Sequence, residues 1–186
     1  MSASAQPSCA PTSTSLEAVI SDGTLKTVLT PYKLHCRYLQ SANVEKGSNG
    51  AWLLKARGRF SIPESCYIAD TGHFNAVEFN ICYNQLTYCL LAQAIDYQLL
   101  DVVRTWSLSE FSRRQLSDFL IVNFNSTFRK PLNARQFEGW VAINKVTVRQ
   151  RNIFMKTSCG FEDSSGASSH GGAVIVILSG QEEHVQ

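Results

Sequence analysis

The sequence predicts an α+β fold in which a long apolar helix packs on one face of an antiparallel sheet of about six strands. The helix is predicted in the apolar stretch at residues 76–100, because Asn75 followed by Glu78 matches a helix-capping pattern. The strands are predicted from successive segments rich in Val, Ile, Phe and Thr. Short polar turns join these segments, which indicates antiparallel pairing.

The beginning of the chain is predicted to hold a flexible arm and a short helix. Residues 1–15 are rich in Ser, Thr, Ala and Pro, which is typical of a flexible segment. Residues 16–182 are expected to form one domain. Ser15 is expected to cap the short helix, and the Asp22-Gly23 pair can end it.

Strands are predicted on both sides of the long helix. Residues 35–44 and 51–62 are expected to form an antiparallel hairpin, because a turn-rich segment separates them. A second helix is predicted to begin at Ser107, since Glu110 repeats the capping spacing. The small polar segment at residues 164–172 is expected to be a mobile loop. The remaining strands are predicted at residues 121–129, 137–149, 153–161 and 172–178.

Composition and charge indicate a soluble globular domain. The 186 residues are 44% hydrophobic and 17% charged, which is near the average for globular proteins. The formal net charge is +2 and the basic residues are scattered, so nucleic acid is not expected as a partner. The long helix includes Glu78, Asn84 and Gln93 and is therefore too polar to be a membrane span.

Targeting and cysteine patterns favour a cytoplasmic protein without a metal site. Residues 1–15 contain no lysine or arginine and do not resemble a secretory signal. The six cysteines include no C-x-x-C pair and no metal-like spacing with the histidines. We therefore interpret them as free thiols.

Five short motifs carry a resemblance to a known family. The longest is YIADTGHFNAVE at residues 67–78. The others are PY at 31–32, CRYL at 36–39, CYNQL at 82–86 and FRKPLN at 128–133. Together they resemble the FcoT-type fatty-acyl-CoA thioesterase family, including its branch that adds glycine to enoyl thioesters.

The resemblance implies a hotdog fold, in which the sheet wraps around the central helix, and a homodimer as the smallest assembly. It also implies an acyl-CoA or acyl-carrier-protein thioester as the substrate, with no metal or organic cofactor. Some members of the family hydrolyse fatty-acyl thioesters. Others add glycine to the β-carbon of an enoyl thioester and hydrolyse the adduct to an N-carboxymethyl β-amino acid.

The start of the long helix is the expected site of thioester chemistry. Amides around residues 74–77 would lack intrahelical partners, and the helix dipole there favours a developing oxyanion. Gly72 would allow the acyl group to approach closely. His73 matches the position of a catalytic histidine in hotdog dehydratases, and an imidazole suits proton transfer near neutral pH.

Four polar residues match positions proposed as active-site residues in the family, which implies that they position water and that no acyl-enzyme forms. They are Tyr32, Tyr67, Asn75 and Asn84. Asn75 has an alternative role as the helix N-cap, and Tyr32 as a turn residue after a proline. Asn84 is predicted inside an apolar helix, where an amide requires a partner or a function.

Two glutamates are candidates for proton transfer. Glu78 fits the capping spacing with Asn75, and this explains it better than catalysis. Glu138 lies in an otherwise uncharged strand, where burial would make a carboxylate a stronger base. A position at the strand rim is the competing interpretation. By the resemblance, an acid at the Glu138 position is not expected in the purely hydrolytic branch, so its presence favours the glycine-adding branch, with His73 and Glu138 sharing the proton transfers.

The carboxylate of glycine requires a cation. Arg37 is the first candidate, because a guanidinium binds a carboxylate in two places. Arg129 and Lys130 are the second candidates, or they bind the phosphates of CoA or of a carrier-protein arm.

The sequence therefore predicts a cytoplasmic hotdog enzyme that releases an acyl chain from its thioester after adding glycine to an enoyl substrate. A simple fatty-acyl-CoA thioesterase is the main alternative. A non-catalytic hotdog module that binds acyl thioesters is another.

Overall fold

One long helix and one curved sheet make up most of the fold. The computed structural model describes residues 17–47, 50–69 and 71–178, so the predicted arm at residues 1–15 lies outside it. The described helices are α1 (Asp22–Leu29), α2 (Ala76–Asp96) and α3 (Leu108–Arg114). The strands are β1 (Glu17–Val19), β2 (Leu39–Lys46), β3 (Leu54–Phe60), β4 (Phe119–Phe128), β5 (Phe137–Arg149), β6 (Asn152–Glu162) and β7 (Ser168–Ile177).

The strands form a single antiparallel sheet in the order β1-β2-β3-β5-β6-β7-β4. Helix α2 contacts β2, β3 and β5, and it also contacts the short helices α1 and α3. The predicted α+β hotdog arrangement is confirmed. The sheet has one strand more than expected, because residues 17–19 pair with β2. Strand β4 is an edge strand within the described part of the chain.

Helix α2 begins where its capping residues predict. The side chain of Asn75 accepts hydrogen bonds from the amides of Val77 and Glu78, and Glu78 Oε2 accepts one from the Asn75 amide. These bonds satisfy donors that the first turn of a helix leaves without partners. No helix in the described ranges has both the length and the apolar character needed to cross a membrane.

Aromatic packing fixes the N-terminal end of α2 against the sheet. The Phe74 ring lies 4.8 Å from Phe137 in a tilted arrangement, and Phe79 lies 4.9 Å from Phe161, measured between ring centroids. Phe124 and Phe128 from β4 each lie 5.7 Å from Phe79. Such pairs contribute about 0.5–1.5 kcal/mol each beyond the burial of apolar area. The packing therefore holds the helix start next to the end of β4.

The predicted cap of the first helix was wrong. Ser21, and not Ser15, caps α1, because its Oγ accepts a hydrogen bond from the Thr24 amide at 3.1 Å. Asp22 and Gly23 begin this helix and do not end it. An acid in the first turn interacts favourably with the helix dipole, which explains why Asp22 is compatible with a helix start.

The predicted hairpin is confirmed as β2 and β3, but its first strand starts later than expected. Residues 34–36 form a single 3-10 turn. Buried Gln85 of α2 accepts hydrogen bonds from the amides of Tyr38 and Leu39, and its Nε2 donates to the Cys36 carbonyl at 2.6 Å. Because the Gln85 side chain bonds the backbone of residues 36–39, this segment is fixed to α2 before the chain enters the sheet.

Two boundaries later in the chain also differ from the prediction. Ser107 caps α3 as expected, but β4 begins at Phe119, two residues before the predicted strand, and its pairing with β7 starts there. Strand β7 begins at Ser168, inside the segment expected to be a mobile loop. The connection left between β6 and β7 is a short turn in which Asp163 accepts hydrogen bonds from Ser165 and Ala167.

Asp163 makes this turn sensitive to acid. Hydrogen bonds from the Asn133 amide, followed by those from Ser165 and Ala167, lower the pKa of Asp163 from 3.8 to about 2. A carboxylate with a lowered folded-state pKa stabilises the fold above its ordinary pKa, and this contribution is lost as pH falls from about 4 to about 2.

We expect the Asp163→Asn variant to have a lower Tm than the parent at pH 7 and the same Tm as the parent near pH 2. Thermal unfolding followed by circular dichroism across this range tests the prediction, with exposed Asp101→Asn as the control. A Tm difference that stays constant with pH would contradict it.

Candidate active site

The start of α2 and the end of β4 enclose a pocket of about 440 Å³. One wall is formed by His73, Phe74, Asn75 and Ala76, and the other by Phe128, Arg129, Lys130 and Pro131. The pocket therefore brings together four of the predicted site residues, namely His73, Asn75, Arg129 and Lys130. They converge because the Phe74 ring lies 6.3 Å from the Phe128 ring.

The imidazole of His73 is oriented by its own turn. His73 Nδ1 lies 3.0 Å from the Thr71 carbonyl oxygen, and Thr71 Oγ1 donates to the His73 carbonyl at 2.9 Å. Because a carbonyl oxygen only accepts hydrogen bonds, Nδ1 carries the hydrogen and Nε2 is left as the basic nitrogen. His73 is exposed, so Nε2 is accessible to a substrate.

Gly72 is required by the backbone of this turn. Its φ of +74° lies in the left-handed region, which favours glycine. A Cβ at this position would meet no atom within 4 Å. The left-handed conformation is therefore the structural reason for glycine at position 72, and the close approach of an acyl group stays a prediction.

Most amides at the start of α2 already have partners, contrary to the expectation of a row of free donors. The Phe74 amide donates to the Leu132 carbonyl at 2.9 Å, and the Asn75 amide donates to Glu78. The Val77 amide donates to Asn75 Oδ1. Among the described residues at the helix start, the Ala76 N–H and the buried Nδ2 of Asn75 have no protein partner.

The Ala76 N–H lies at an exposed residue and is suited to an oxyanion. Asn75 Nδ2 is buried, and a buried donor without a partner is uncommon and carries a free-energy cost, so this atom requires a physical explanation. The positive end of the α2 dipole adds to the attraction for negative charge at the same place. Glu78 completes the capping box of the helix, which agrees with the capping role predicted for it.

Arg37 does not face this pocket. Its Nε donates to the Tyr32 carbonyl at 3.0 Å and its Nη2 to the Thr30 carbonyl at 3.2 Å. The guanidinium therefore binds carbonyl groups that follow the end of α1. Residue 37 also precedes β2 and does not lie on a strand. The cations that do line the pocket are Arg129 and Lys130, both exposed.

The polar residue buried in the middle of α2 is Gln85, and not Asn84. The Gln85 side chain is completely buried and is satisfied by three backbone groups near the start of β2. Asn84 is half-buried, and its Nδ2 donates to Asn80 Oδ1 one turn earlier at 3.1 Å. The buried amide with the required partners is therefore Gln85, the residue next to Asn84.

The two predicted tyrosines lie in different surroundings, and neither lines the pocket. Tyr32 is half-buried, and burial together with the proximity of Tyr88, Cys89 and Cys82 raises the pKa of its hydroxyl. It therefore stays protonated and lies beside the middle of α2. Tyr67 is 49% exposed and belongs to the segment that leads into the His73 turn.

Glu138 is exposed on the outer face of the sheet and is the second residue of β5, which contradicts the expected burial and agrees with the competing position at the strand rim. Side chains alternate along a strand, and its neighbour Phe137 faces inward onto Phe74. Arg59 and Glu162 are its register partners on the adjacent strands. The position of Glu138 therefore gives no support to a proton transfer shared with His73.

Sequence reasoning missed Thr71 and Phe128. The signal for Thr71 was a hydroxyl residue two positions before a histidine with glycine between them, a spacing at which a side chain can bond the nearby backbone. Phe128 lies within one of the family-like motifs, but no sequence pattern shows which side of an edge strand faces a helix.

Comparisons with known proteins agree with the motifs. The family profile described as FcoT-like thioesterase domain matches residues 27–177. The chain is 49% identical over 125 residues to a (2E)-enoyl-[ACP] glycyltransferase of Streptomyces coeruleorubidus, covering 67% of this chain and 74% of the relative. It is 37% identical over 164 residues to the protein of the same name from Mycobacterium tuberculosis H37Rv, covering 86% and 88% respectively.

Solved structures give a weaker likeness. A thioesterase family protein from Silicibacter pomeroyi superposes with a TM-score of 0.45 at 13% identity, covering 85% of this chain and all of that one.

Proposed function

The chain belongs to the FcoT-like thioesterase family, and from that premise we propose that it adds glycine to an α,β-unsaturated acyl thioester and then hydrolyses the adduct. The product is an N-carboxymethyl β-amino acid. The named activity of relatives up to 49% identical supports this substrate class, with acyl-carrier protein as the carrier.

The observation that carries the proposal is the composition of the pocket wall. An accessible basic nitrogen, two donors without protein partners and two cations surround one pocket of about 440 Å³. Addition of glycine to an enoyl thioester requires these three groups. The base removes a proton, the donors stabilise an enolate oxygen, and a cation holds the carboxylate of glycine.

In the addition step, His73 Nε2 removes one proton from the ammonium group of glycine. The freed amine attacks the β-carbon, a C–N bond forms, and the electrons of the C=C bond move to the thioester oxygen. The Ala76 N–H and Asn75 Nδ2 donate hydrogen bonds to that oxygen. The imidazolium of His73 then returns a proton to the α-carbon, so the base is regenerated.

Arg129 is the cation that we assign to the glycine carboxylate. A guanidinium can bind both carboxylate oxygens at once, and the end of β4 places Arg129 opposite the helix start. Lys130 is left for the phosphate of a carrier-protein arm or of CoA at the pocket mouth.

In the hydrolysis step, water attacks the thioester carbonyl and the thiol leaves. The same two donors stabilise the tetrahedral oxyanion, and a hydrogen bond of this kind lowers the barrier by about 3–4 kcal/mol. Hydrolysis without glycine addition is the second candidate function, since the matching family profile is described as a thioesterase domain.

The proposal includes a homodimer that works in the cytoplasm. Strand β4 is an edge of the described sheet and exposes Leu120 and Val122, which suits pairing with a second copy. Such pairing would place a partner subunit next to the pocket at the end of β4. Free thiols such as Cys66 and Cys82 persist in the reducing environment of the cytoplasm.

Mass spectrometry of the products tests the proposed function. The protein is incubated with a 2-octenoyl thioester of acyl-carrier protein, with and without glycine, and the thiol and the acids are quantified. We expect an acid whose mass equals the enoic acid plus glycine, formed only when glycine is present. Glycine-independent hydrolysis alone would assign the simple thioesterase activity. Thermal stabilisation by the thioester without release of thiol would indicate a binding module.

A further inference from the structure

The turn before α2 closes through two hydrogen bonds between the same two residues. Thr71 Oγ1 donates to the His73 carbonyl oxygen at 2.9 Å, and His73 Nδ1 donates to the Thr71 carbonyl oxygen at 3.0 Å. Gly72 lies between them with a φ of +74°. Each residue is therefore a donor and an acceptor for the other, and the Thr71 side chain belongs to the same turn as the proposed base.

The chain is fixed directly after this turn. Phe74 is 1% exposed, and its ring lies 4.8 Å from the Phe137 ring. The Phe74 amide donates to the Leu132 carbonyl at 2.9 Å. The backbone of His73 is therefore anchored on its C-terminal side, whereas the rotation of its exposed ring depends on the bond to Thr71.

The ring nitrogen that carries the hydrogen decides whether His73 can act as a base. A neutral imidazole has one protonated and one basic nitrogen, and the hydrogen bond made by one nitrogen determines the state of the other. In water, a histidine without such a bond carries its hydrogen mainly on Nε2. An Nε2 that already carries a hydrogen cannot remove a proton from glycine. The Thr71 carbonyl selects the opposite form, in which Nδ1 carries the hydrogen and Nε2 is basic.

The Thr71 hydroxyl orders the backbone that presents this carbonyl. Both residues are exposed, so water competes for each hydrogen bond, and one bond alone orders the ring weakly. The bond from the hydroxyl closes the turn, so the bond to the ring forms in a backbone that is already ordered. Threonine suits this role, because its branched Cβ restricts the positions of the hydroxyl more than serine does.

We infer that Thr71 is a positioning residue, whose hydroxyl closes the turn at residues 71–73 and whose carbonyl holds His73 in the form with a basic Nε2. The effect on turnover rests on the proposed function, whereas the hydrogen position on the ring does not. Loss of the hydroxyl should lower kcat for glycine addition by about 10–100-fold, the range typical for removal of a group that orients a metal-bound histidine. The KM for the thioester should change little, because Thr71 does not line the pocket.

Nitrogen-15 NMR of the full-length protein tests the hydrogen position. Both ring nitrogens of histidine are labelled, and spectra are recorded at about pH 8, where histidine side chains are ordinarily neutral. His73→Ala identifies the His73 signals among those of the four histidines. We expect the hydrogen on Nδ1 in the parent. Thr71→Val keeps the shape of the side chain without the hydroxyl and should move the hydrogen toward Nε2, whereas Thr71→Ser should keep the parent form.

Rates of glycine addition to a 2-octenoyl thioester are measured for the same variants. Thr71→Val should lose rate, and Thr71→Ser should recover most of it. Thr147→Val is the matched control, because Thr147 lies on β5 ten residues from Phe137, and its rate should equal that of the parent.

The two measurements together decide the inference. It is overturned if the parent carries the hydrogen on Nε2, or if Thr71→Val leaves both the hydrogen position and the rate unchanged. It is also overturned if Thr71→Val loses rate with the hydrogen still on Nδ1, since Thr71 would then have a purely structural role. A moved hydrogen without a loss of rate would equally contradict it. If the parent adds no glycine, the proposed function fails, and the hydrogen position alone decides the inference.

Discussion

His73→Ala is expected to reduce the rate of glycine addition by about 10²–10⁴-fold, the usual contribution of a positioned general acid–base group. The loss is expected because Nε2 of His73 both takes the proton from glycine and returns it to the α-carbon. The rate of glycine adduct formation on a 2-octenoyl thioester measures this step. Hydrolysis of a saturated octanoyl thioester should fall less, since the oxyanion donors of Ala76 and Asn75 are retained.

Two variants serve as controls, one for the loss of a histidine and one for Glu138, the acid that the sequence suggested. His170→Ala removes an exposed histidine from β7 and should leave both rates unchanged. Glu138→Gln should also leave both unchanged, because that carboxylate lies on the outer face of the sheet. If Glu138→Gln abolished addition while His73→Ala did not, the assignment of the base would be wrong. The Tm of all three variants should match the parent, since these side chains are exposed.

The sequence predicted the long helix and the later strands because local chemistry determines them. Asn75 and Glu78 are close in the chain and satisfy each other's backbone groups, so their spacing alone identifies the start of α2. Strands β5 and β6 are long and rich in residues that favour sheets. The same local reasoning failed at Ser15, because two serines near the start of α1 can each cap a helix.

The candidate site was predicted in part, and its errors share one physical cause. His73, Asn75, Arg129 and Lys130 lie together because their motifs flank two elements that meet in the fold. Arg37 and Asn84 were assigned without knowledge of their hydrogen-bond partners, which come from elsewhere on the folded backbone or one turn away on the helix. Whether Glu138 points inward or outward depends on the register in which β5 pairs with its neighbouring strands. A shift of one residue along a strand moves every side chain to the other face of the sheet, and composition does not determine the register.

Phe79→Ala is expected to lower the free energy of unfolding by about 3–5 kcal/mol, the usual cost of truncating a buried phenylalanine. The Phe79 ring is completely buried and contacts Phe74, Phe124, Phe128 and Phe161. Its loss leaves a cavity between the start of α2, strand β6 and the end of β4. Equilibrium unfolding in urea measures the change.

Phe128→Ala is the matched control, because this ring belongs to the same cluster but is 38% exposed. Less apolar area is lost there, so its effect on the free energy of unfolding should be less than half that of Phe79→Ala. In function, Phe128→Ala should have the larger effect of the two variants. Phe128 lines the pocket, and its truncation should raise the KM for the thioester in a protein that remains folded. Equal losses of stability would contradict the view that Phe79 is the packing centre that holds the two pocket walls together.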